Sequence, residues 1–186
     1  EYIGRTSGIP ILVSHFKVVE KSIGKASETL SYLETMRSTG IDITFDQYPY
    51  TSGSTTLTAI IPQELLRYSP EELIERLSDD DFRNGIELTT NPEKIIINGV
   101  MEEKNRHLLG KTIGEIGEIL GKELKEVVLD ILIDERLGAT LIGGGQDEQE
   151  VRRIMSHRLG NVCTDSVPGT KPHPRRFATY PRVLGR

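Results

Sequence analysis

Short apolar runs alternate with helical spacings near the start of the chain. Residues 9–13 are apolar at nearly every position, which predicts a strand buried on both faces. Apolar residues then recur at helical spacing over 23–38, and Gly40 stands where a glycine would end that helix. A second strand is predicted over 41–45. This order of strand, helix and strand is the unit from which parallel sheets are built.

The same rhythm returns near the end of the chain. The pattern predicts a strand over 139–142, a glycine loop, a helix over 147–157 and a last strand over 161–164. Asp165 follows this last strand, and the carboxyl ends of barrel strands are where α/β barrels carry their chemistry. We therefore expect an α/β fold built like part of a TIM-like (β/α) barrel.

The middle of the chain follows a different, mostly helical pattern. Ser69 and Pro70 predict the start of a helix that ends near residue 77, and residues 79–83 extend it or begin another. Capping-box spacing predicts a helix from Thr112 to about residue 120, followed by a helix over 124–135. A strand is predicted at 94–97. The sequence thus predicts three regions: a strand-helix-strand unit at 1–55, a small, mostly helical insertion at 56–136, and the final barrel strands with a substrate loop at 137–186.

Composition narrows the class of protein. The chain has 186 residues, of which 36% are hydrophobic and 27% charged, and its net charge is −5, as in ordinary globular proteins. No apolar run approaches the roughly 20 residues that cross a bilayer, and no signal-peptide pattern is present, so no membrane partner is expected. The acidic net charge disfavours a nucleic-acid partner. The sequence has one local cluster of arginines, which we interpret as a solvated tail: Arg175, Arg176, Arg182 and Arg186. The single cysteine, Cys163, fits the reducing cytoplasm.

The two ends of the sequence indicate an excised segment. Residues 1–8 lack a starting methionine and resemble the last turn of a helix closed by glycine. Residues 180–186 are interpreted as following a loop without a capping element. We therefore expect the chain to be part of a larger barrel.

Polar residues at the predicted strand ends are the candidates for chemistry. His15 follows the first strand, where a neutral imidazole suits zinc, although a histidine there is more often a structural hydrogen-bonding residue. Lys17 lies on the same side and is compatible with a Schiff base, a substrate carboxylate or a plain surface position. Asp165 is either a metal ligand and proton acceptor or the N-cap of the next turn.

Other polar residues are less informative by themselves. Tyr48 to Tyr50 is compatible with a rigid corner, and Ser54 with an ordinary loop residue. His107 and His157 are predicted to lie at the surface. The glycines at 143–145 are not followed by the lysine and hydroxyl of a phosphate-binding loop, which disfavours nucleotide binding.

Four stretches together resemble a known family. They are Gly8 to Lys17 (GIPILVSHFK), Phe45 to Thr55 (FDQYPYTSGST), Thr164 to Ser166 (TDS) and His173 to Arg175 (HPR). In order and content they resemble the N-acyl-D-amino-acid deacylase (D-aminoacylase) family, which is part of the amidohydrolase superfamily of metal-dependent barrels. Residues 180–186 and 110–113 resemble further segments of that family, so that the resemblance covers essentially the whole chain.

The resemblance implies the last strands and helices of a TIM-like metal-dependent hydrolase barrel with a small, mostly helical insertion. It also implies an amide-hydrolysing zinc site for a small N-acyl amino acid. It implies that His15 is a metal ligand and Asp165 both a ligand and the general base. It further implies that Lys17, Tyr48, Ser54 and Arg175 surround the substrate. This set is chemically sensible, because zinc activates water and carbonyl, a base moves the proton, and an arginine fork suits a carboxylate.

The sequence also departs from the family pattern. The family's early strands carry a His-x-His pair, a bridging cysteine or acid and another histidine, and its last barrel helix and small β-sandwich complete the protein; no stretch here matches them. About two ligands remain, so we expect no tight zinc binding and no activity in the isolated chain. The alternatives are a non-catalytic folding unit that forms a homodimer or pairs with a separate first half of the barrel, and an amidohydrolase acting on cyclic amides.

One geometric expectation underlies the whole interpretation. The imidazole of His15 and the carboxylate of Asp165 must converge on one cation-sized space. A separation above roughly 10 Å would exclude it, because zinc bonds span only about 2 Å.

Overall fold

The computed structural model describes residues 1–19 and 22–185, and its chain divides into two compact units. The first comprises Glu1–Ser52, Gly144–Ser166 and Pro174–Arg186, and the second comprises Gly53–Gly143 and Val167–His173. Arg186, the last residue of the expected solvated tail, lies outside the described residues. These divisions differ from the predicted boundaries after residues 55 and 136, because the strands beside those boundaries belong to the second unit.

The helices and strands follow one another along the chain in a mixed order. They are α1 (Tyr2–Ser7), β1 (Ile11–Val13), α2 (Ala26–Ser38), β2 (Ile43–Gln47), β3 (Gly53–Thr56), α3 (Pro70–Leu77), α4 (Asp80–Asn84), β4 (Ile96–Gly99), α5 (Ile113–Leu120), α6 (Leu124–Asp134), β5 (Thr140–Gly143), α7 (Glu148–Met155), β6 (Gly160–Val162) and α8 (Arg175–Val183). Short 3₁₀ helices lie at Leu57–Ile60, Gln63–Arg67 and Glu103–Leu108.

A parallel sheet in the order β1-β2-β6 forms the centre of the first unit. Residues of α2 and α7 pack on the face of the sheet that carries Ile43 and Phe45, and this face contains the core. The apolar residues of α2 that recur at helical spacing are buried there, as the sequence predicts: Ala26, Leu30, Leu33 and Met36. The predicted strand-helix-strand unit is therefore present.

The prediction that the first strand is buried on both faces is wrong. Leu12 of β1 is 53% exposed, and Ile9 before it is 55% exposed. Since successive side chains of a strand point to opposite faces, Leu12 points away from the face that α2 and α7 cover. β1 also lies at one end of the sheet order, so the described part of the chain pairs it on one side only.

The second unit combines helices with an antiparallel sheet in the order β3-β5-β4. The sequence predicts the segment around β5 as a barrel strand, whereas the structure pairs β5 antiparallel with β3 and β4. Helices from this unit supply most of its core, with Leu77, Ile113, Leu129 and Leu132 almost completely buried. The expected helix-rich region therefore has a sheet of its own.

Local capping signals decide where these helices begin. Ser69 accepts a hydrogen bond from the amide of Glu72 at the start of α3. The acidic stretch at 79–83 starts a separate helix, α4, because the Asp79 side chain caps it. Thr112 and Glu115 form the predicted capping box of α5.

The last helix occupies a segment that is interpreted from the sequence as a loop and the residues after it. α8 runs from Arg175 to Val183 and contains Pro181, a residue that usually ends or kinks a helix. One face of α8 is anchored, since Arg175 and Thr179 are both 1% exposed. None of the helices in the described residues has the length and apolar character required to cross a membrane.

Candidate functional site

The carboxyl ends of β1, β2 and β6 bring polar side chains together within the first unit. His15 follows β1, Asp46 and Tyr48 lie at the end of β2, and Asp165 follows β6. Because the three strands are parallel, their carboxyl ends meet at one edge of the sheet. The polar residues predicted at strand ends therefore share one edge.

His15 and Asp165 are in direct contact. The distance from His15 Nε2 to Asp165 Oδ1 is 3.1 Å, and 45% and 18% of the two side chains are exposed. Both residues have a left-handed backbone, with φ values of 55° and 45°. This conformation is uncommon outside glycine, although His and Asp enter it more readily than most residues. The two groups thus converge as the interpretation requires, at far less than 10 Å.

The second oxygen of Asp165 is held by an arginine. Arg175 Nη1 lies 2.8 Å from Asp165 Oδ2, and the Arg175 side chain is 1% exposed. The guanidinium also lies over the Tyr48 ring, with Arg175 Cζ 4.5 Å from the ring centroid. A buried cation requires such partners, because leaving it unpaired in a poorly solvated place is costly. Arg175 therefore fixes the orientation of the Asp165 carboxylate.

Tyr48 links this pair to Lys17. Lys17 Nζ donates a hydrogen bond of 3.0 Å to the Tyr48 hydroxyl and lies 5.2 Å from the ring centroid. Tyr48 is completely buried, whereas Lys17 is exposed. The Lys17 ammonium is thus a cation in reach of solvent at the same edge as Asp165.

Asp46 also lies at this edge, although the sequence pattern predicts no role for it. Its Oδ1 accepts the backbone N–H of His15 at 2.7 Å, and the Ser14 hydroxyl lies 3.5 Å from its Oδ2. Burial raises the pKa of the Cys163 thiol to about 12, and a hydrogen bond from this thiol to Asp46 acts in the same direction. The available signal was a carboxylate that ends an apolar strand, as Asp165 does.

The remaining predicted residues lie elsewhere in the chain. Ser54 is on β3 of the second unit, where its Oγ accepts a hydrogen bond of 3.3 Å from Asn98 Nδ2. His107 is exposed, as expected. His157 is half-buried, with 17% of its side chain exposed, and its Nε2 lies 3.2 Å from Glu34 Oε1.

The pair of His15 and Asp165 supplies only part of a zinc site. Imidazole nitrogen and carboxylate oxygen are both zinc ligands, and two ligands of one tetrahedral zinc lie about 3.3 Å apart when each bond is about 2.0 Å. The observed 3.1 Å is close to that value. However, residues 1–19 and 22–185 contain no group of three or more His, Cys, Asp or Glu side chains placed to hold a metal ion. A tetrahedral site would therefore require further ligands.

Comparison with known proteins gives relatives of one kind. No family model matches the chain. It is 30% identical over 187 residues to N-acyl-D-glutamate deacylase and 28% identical over 185 residues to D-aminoacylase, both from Alcaligenes xylosoxydans xylosoxydans. These matches cover 99% and 98% of this chain and 31% of each relative. The chain thus spans about a third of the length of the curated relatives that it matches.

Solved structures show the same relationship. N-acyl-D-glutamate deacylase from Bordetella bronchiseptica, complexed with zinc and a phosphonate mimic of the tetrahedral intermediate, matches with a TM-score of 0.73 and 26% identity. D-aminoacylase, whose structure defines a subset of amidohydrolases, matches with a TM-score of 0.70 and 27% identity. Each match covers 98% of this chain and 32% of the other. The expected α/β fold class, with the parallel sheet of a partial TIM-like domain, is confirmed. The chain is therefore a relative of the D-aminoacylases in both sequence and fold, and it corresponds to about a third of their length.

Proposed function

We propose that this chain is part of the catalytic domain of a zinc-dependent amidohydrolase that converts N-acyl-D-amino acids into a D-amino acid and a carboxylate. The contact between His15 and Asp165 carries the proposal, because it joins a metal-ligand side chain to a potential base at 3.1 Å. The relatives add support, since they are deacylases of N-acyl-D-amino acids. We also propose that the protein acts in the cytoplasm, where its free Cys163 would stay reduced.

Side chains of the first unit would have different roles in amide hydrolysis. His15 and Asp165 would hold zinc, which when bound polarises the scissile carbonyl and lowers the pKa of water. Asp165 takes the proton of the attacking water and returns it to the leaving amine. Arg175 holds the Asp165 carboxylate in place from the opposite oxygen. Its contact with Asp165 also keeps Arg175 beside the proposed reaction centre.

Lys17 and Tyr48 suit the recognition of the substrate. Lys17 is an exposed residue, and its ammonium suits the carboxylate of an N-acyl amino acid. Its hydrogen bond to the Tyr48 hydroxyl restricts where the ammonium lies. We assign Ser54 a further contact with the substrate, on the resemblance of its segment to the family. The substrate class of the proposal rests on the relatives, which are deacylases of N-acyl-D-amino acids.

The first test concerns the chain by itself. Because its described residues provide two zinc ligands, we expect the purified 186-residue chain to release no D-amino acid from N-acetyl-D-amino acids, even with added zinc. Zinc titration calorimetry should show no tight site. Zinc-dependent release of a D-amino acid by the chain alone would contradict this expectation.

The second test restores the rest of the enzyme. In a chimera, this chain replaces the matching third of D-aminoacylase from Alcaligenes xylosoxydans xylosoxydans. We expect zinc-dependent hydrolysis of N-acyl-D-amino acids, and a loss of at least about 100-fold in kcat for Asp165→Asn, which removes the base. His107→Ala changes an exposed histidine of the second unit and serves as the control.

Two outcomes of the chimera experiment oppose the proposal. An Asp165→Asn chimera as active as its parent would remove Asp165 from the reaction. Hydrolysis of hydantoins in preference to N-acyl-D-amino acids would show that the site acts on cyclic amides.

A further inference from the structure

The backbone at His15 leaves the regular pairing of β1 with β2. Ile11 donates its N–H to Asp42 O at 2.8 Å, so a continued parallel ladder would bring the N–H of His15 to Asp46 O. Instead, Phe16 donates its N–H to Asp46 O, at 2.8 Å. One extra residue, His15, is therefore accommodated at this point, and its φ is 55°. Such irregularities re-aim side chains and are common beside active sites.

Because Phe16 takes the carbonyl of Asp46, the N–H of His15 has no partner in the strand ladder, and the side chain of Asp46 accepts it instead. Asp46 Oδ1 accepts the N–H of His15 at 2.7 Å, which is short for a bond of this kind and typical of a charged acceptor. Asp46 thus binds two successive amides, that of His15 through its carboxylate and that of Phe16 through its carbonyl. Both contacts lie at the left-handed turn of His15.

The Asp46 carboxylate is itself held in position. The Ser14 hydroxyl lies 3.5 Å from its Oδ2, and the Cys163 thiol donates a hydrogen bond to it. Asp46 belongs to β2, and Cys163 follows β6, whose backbone is tied to β2 by Cys163 N–H donating to Gln47 O at 3.1 Å. The carboxylate therefore connects the ends of all three strands of the sheet.

We propose that Asp46 is a positioning residue that holds the His15 backbone in its left-handed conformation and so directs the imidazole towards Asp165. Its part in catalysis rests on the proposed function, but the positioning itself does not. The bond between the two residues is to the backbone N–H of His15, so Asp46 acts on the ring through the amide. Arg175 fixes Asp165 and Asp46 fixes His15, so each member of the pair has its own support.

The test compares Asp46→Ala and Asp46→Asn with the parent chain, free of metal and at one pH. Exchange of backbone amides and the imidazole ¹⁵N signals of His15 are followed by NMR. For Asp46→Ala we expect at least about tenfold faster exchange of the His15 amide, because a hydrogen bond to a charged acceptor is lost. The His15 Nε2 signal should move away from its hydrogen-bonded position, since the ring no longer stays on Asp165. Asp46→Asn keeps a neutral acceptor, so the exchange rate of the His15 amide and the position of the Nε2 signal should both change less.

Two references separate positioning from general stability of the sheet. The Phe45 amide, which donates to Leu159 O at 3.1 Å between β2 and the start of β6, should keep its exchange rate in both variants. Asp42→Asn removes an exposed carboxylate just before β2 and should leave the His15 signals unchanged.

Unchanged His15 amide and ring signals in Asp46→Ala would overturn the proposal. The proposal would also be overturned if the Phe45 amide lost as much protection as the His15 amide in Asp46→Ala and Asp46→Asn. Asp46 would then support the sheet as a whole. These measurements need neither zinc nor substrate. A failure of the positioning role is therefore distinguishable from a failure of the proposed hydrolysis.

Discussion

At the scale of single residues, Asp130 of α6 offers a test of electrostatics outside the candidate site. It lies 2.7 Å from both Arg83 Nη2 and Lys122 Nζ, and Arg83 also pairs with Glu126. Burial raises the pKa of the Asp130 carboxyl, but the hydrogen bonds from Lys122 and Arg83 outweigh it and hold the pKa below the ordinary 3.8. A carboxyl with a lowered pKa stabilises the fold above that ordinary value, and the contribution disappears as the pH falls through the folded-state value.

We therefore expect Asp130→Asn to lower the free energy of unfolding by about 1 kcal/mol at pH 7. The difference from the parent should shrink as the pH falls below 3.8, where the parent carboxyl also becomes protonated. Urea unfolding at a series of pH values measures this. The control is Asp134→Asn, which removes the carboxylate paired with Lys104. Asp134 is more exposed than Asp130, so its loss should lower the free energy of unfolding by less. A loss for Asp130→Asn that is independent of pH would show that the charge is not the cause.

Some residues of the candidate site can be predicted from the sequence and others cannot. His15 and Asp165 were predicted because each follows an apolar run at a strand end, a signal contained in a few neighbouring residues. Asp46 has the same kind of position, but its partner is a backbone amide of another strand. A backbone amide has no signature in the sequence, so this role appears only once β1 and β2 are paired.

At the scale of elements, a pair of buried amides connects the end of β2 to the segment before α7. Gln47 Nε2 donates to Gln146 Oε1 at 2.9 Å, and Gln146 Nε2 donates to Tyr50 O at 3.1 Å. Gln47 is completely buried and Gln146 is 8% exposed. The pair therefore ties down the Tyr48–Tyr50 turn through hydrogen bonds that water cannot easily replace.

We expect Gln146→Leu to cost about 1–3 kcal/mol of stability, because it leaves the Gln47 amide buried without this acceptor. The double variant Gln47→Leu with Gln146→Leu removes both polar groups and should recover part of the loss, so the two changes should not be additive. Urea unfolding of the two single variants and the double variant measures the coupling. Strictly additive losses would show that the two side chains do not depend on each other.

Element prediction succeeded where the signal is local. The caps of α3 and α5 lie within four residues of the groups that they bind, so Ser69 and Thr112 marked both helix starts. β3 was missed because its sequence, GSTT, has no apolar alternation, and it is a strand through its pairing with β5. The sequence pattern predicts no helix over Arg175–Val183, and Pro181 is a residue that disfavours one. The buried side chains of Arg175 and Thr179 anchor α8 in the structure.

At the scale of the whole molecule, several large apolar side chains of the first unit are exposed. Its parallel sheet has β1 and β6 at the ends of the strand order, and in the described residues neither has a strand on its outer side. On α8 and just after it, Phe177, Tyr180, Val183 and Leu184 are all exposed. Open sheet edges and exposed apolar stripes favour association. This surface supports the alternative in which the chain pairs with a copy of itself or with a separate first half of the barrel.

We accordingly expect the purified chain to self-associate as its concentration rises, with a mass above that of the monomer in light scattering. Phe177→Ser with Leu184→Ser removes two side chains that are 73% and 76% exposed, so the change should leave the core intact. It should weaken association at least about tenfold, because each apolar side chain contributes about 1.5–3 kcal/mol when it is fully buried. Ile119→Ser, at a position 67% exposed on α5 of the second unit, is the matched control and should leave association unchanged. A parent chain that stays a monodisperse monomer at high concentration would exclude self-pairing. If Ile119→Ser weakened association as much as the Phe177 and Leu184 changes do, association would not depend on α8.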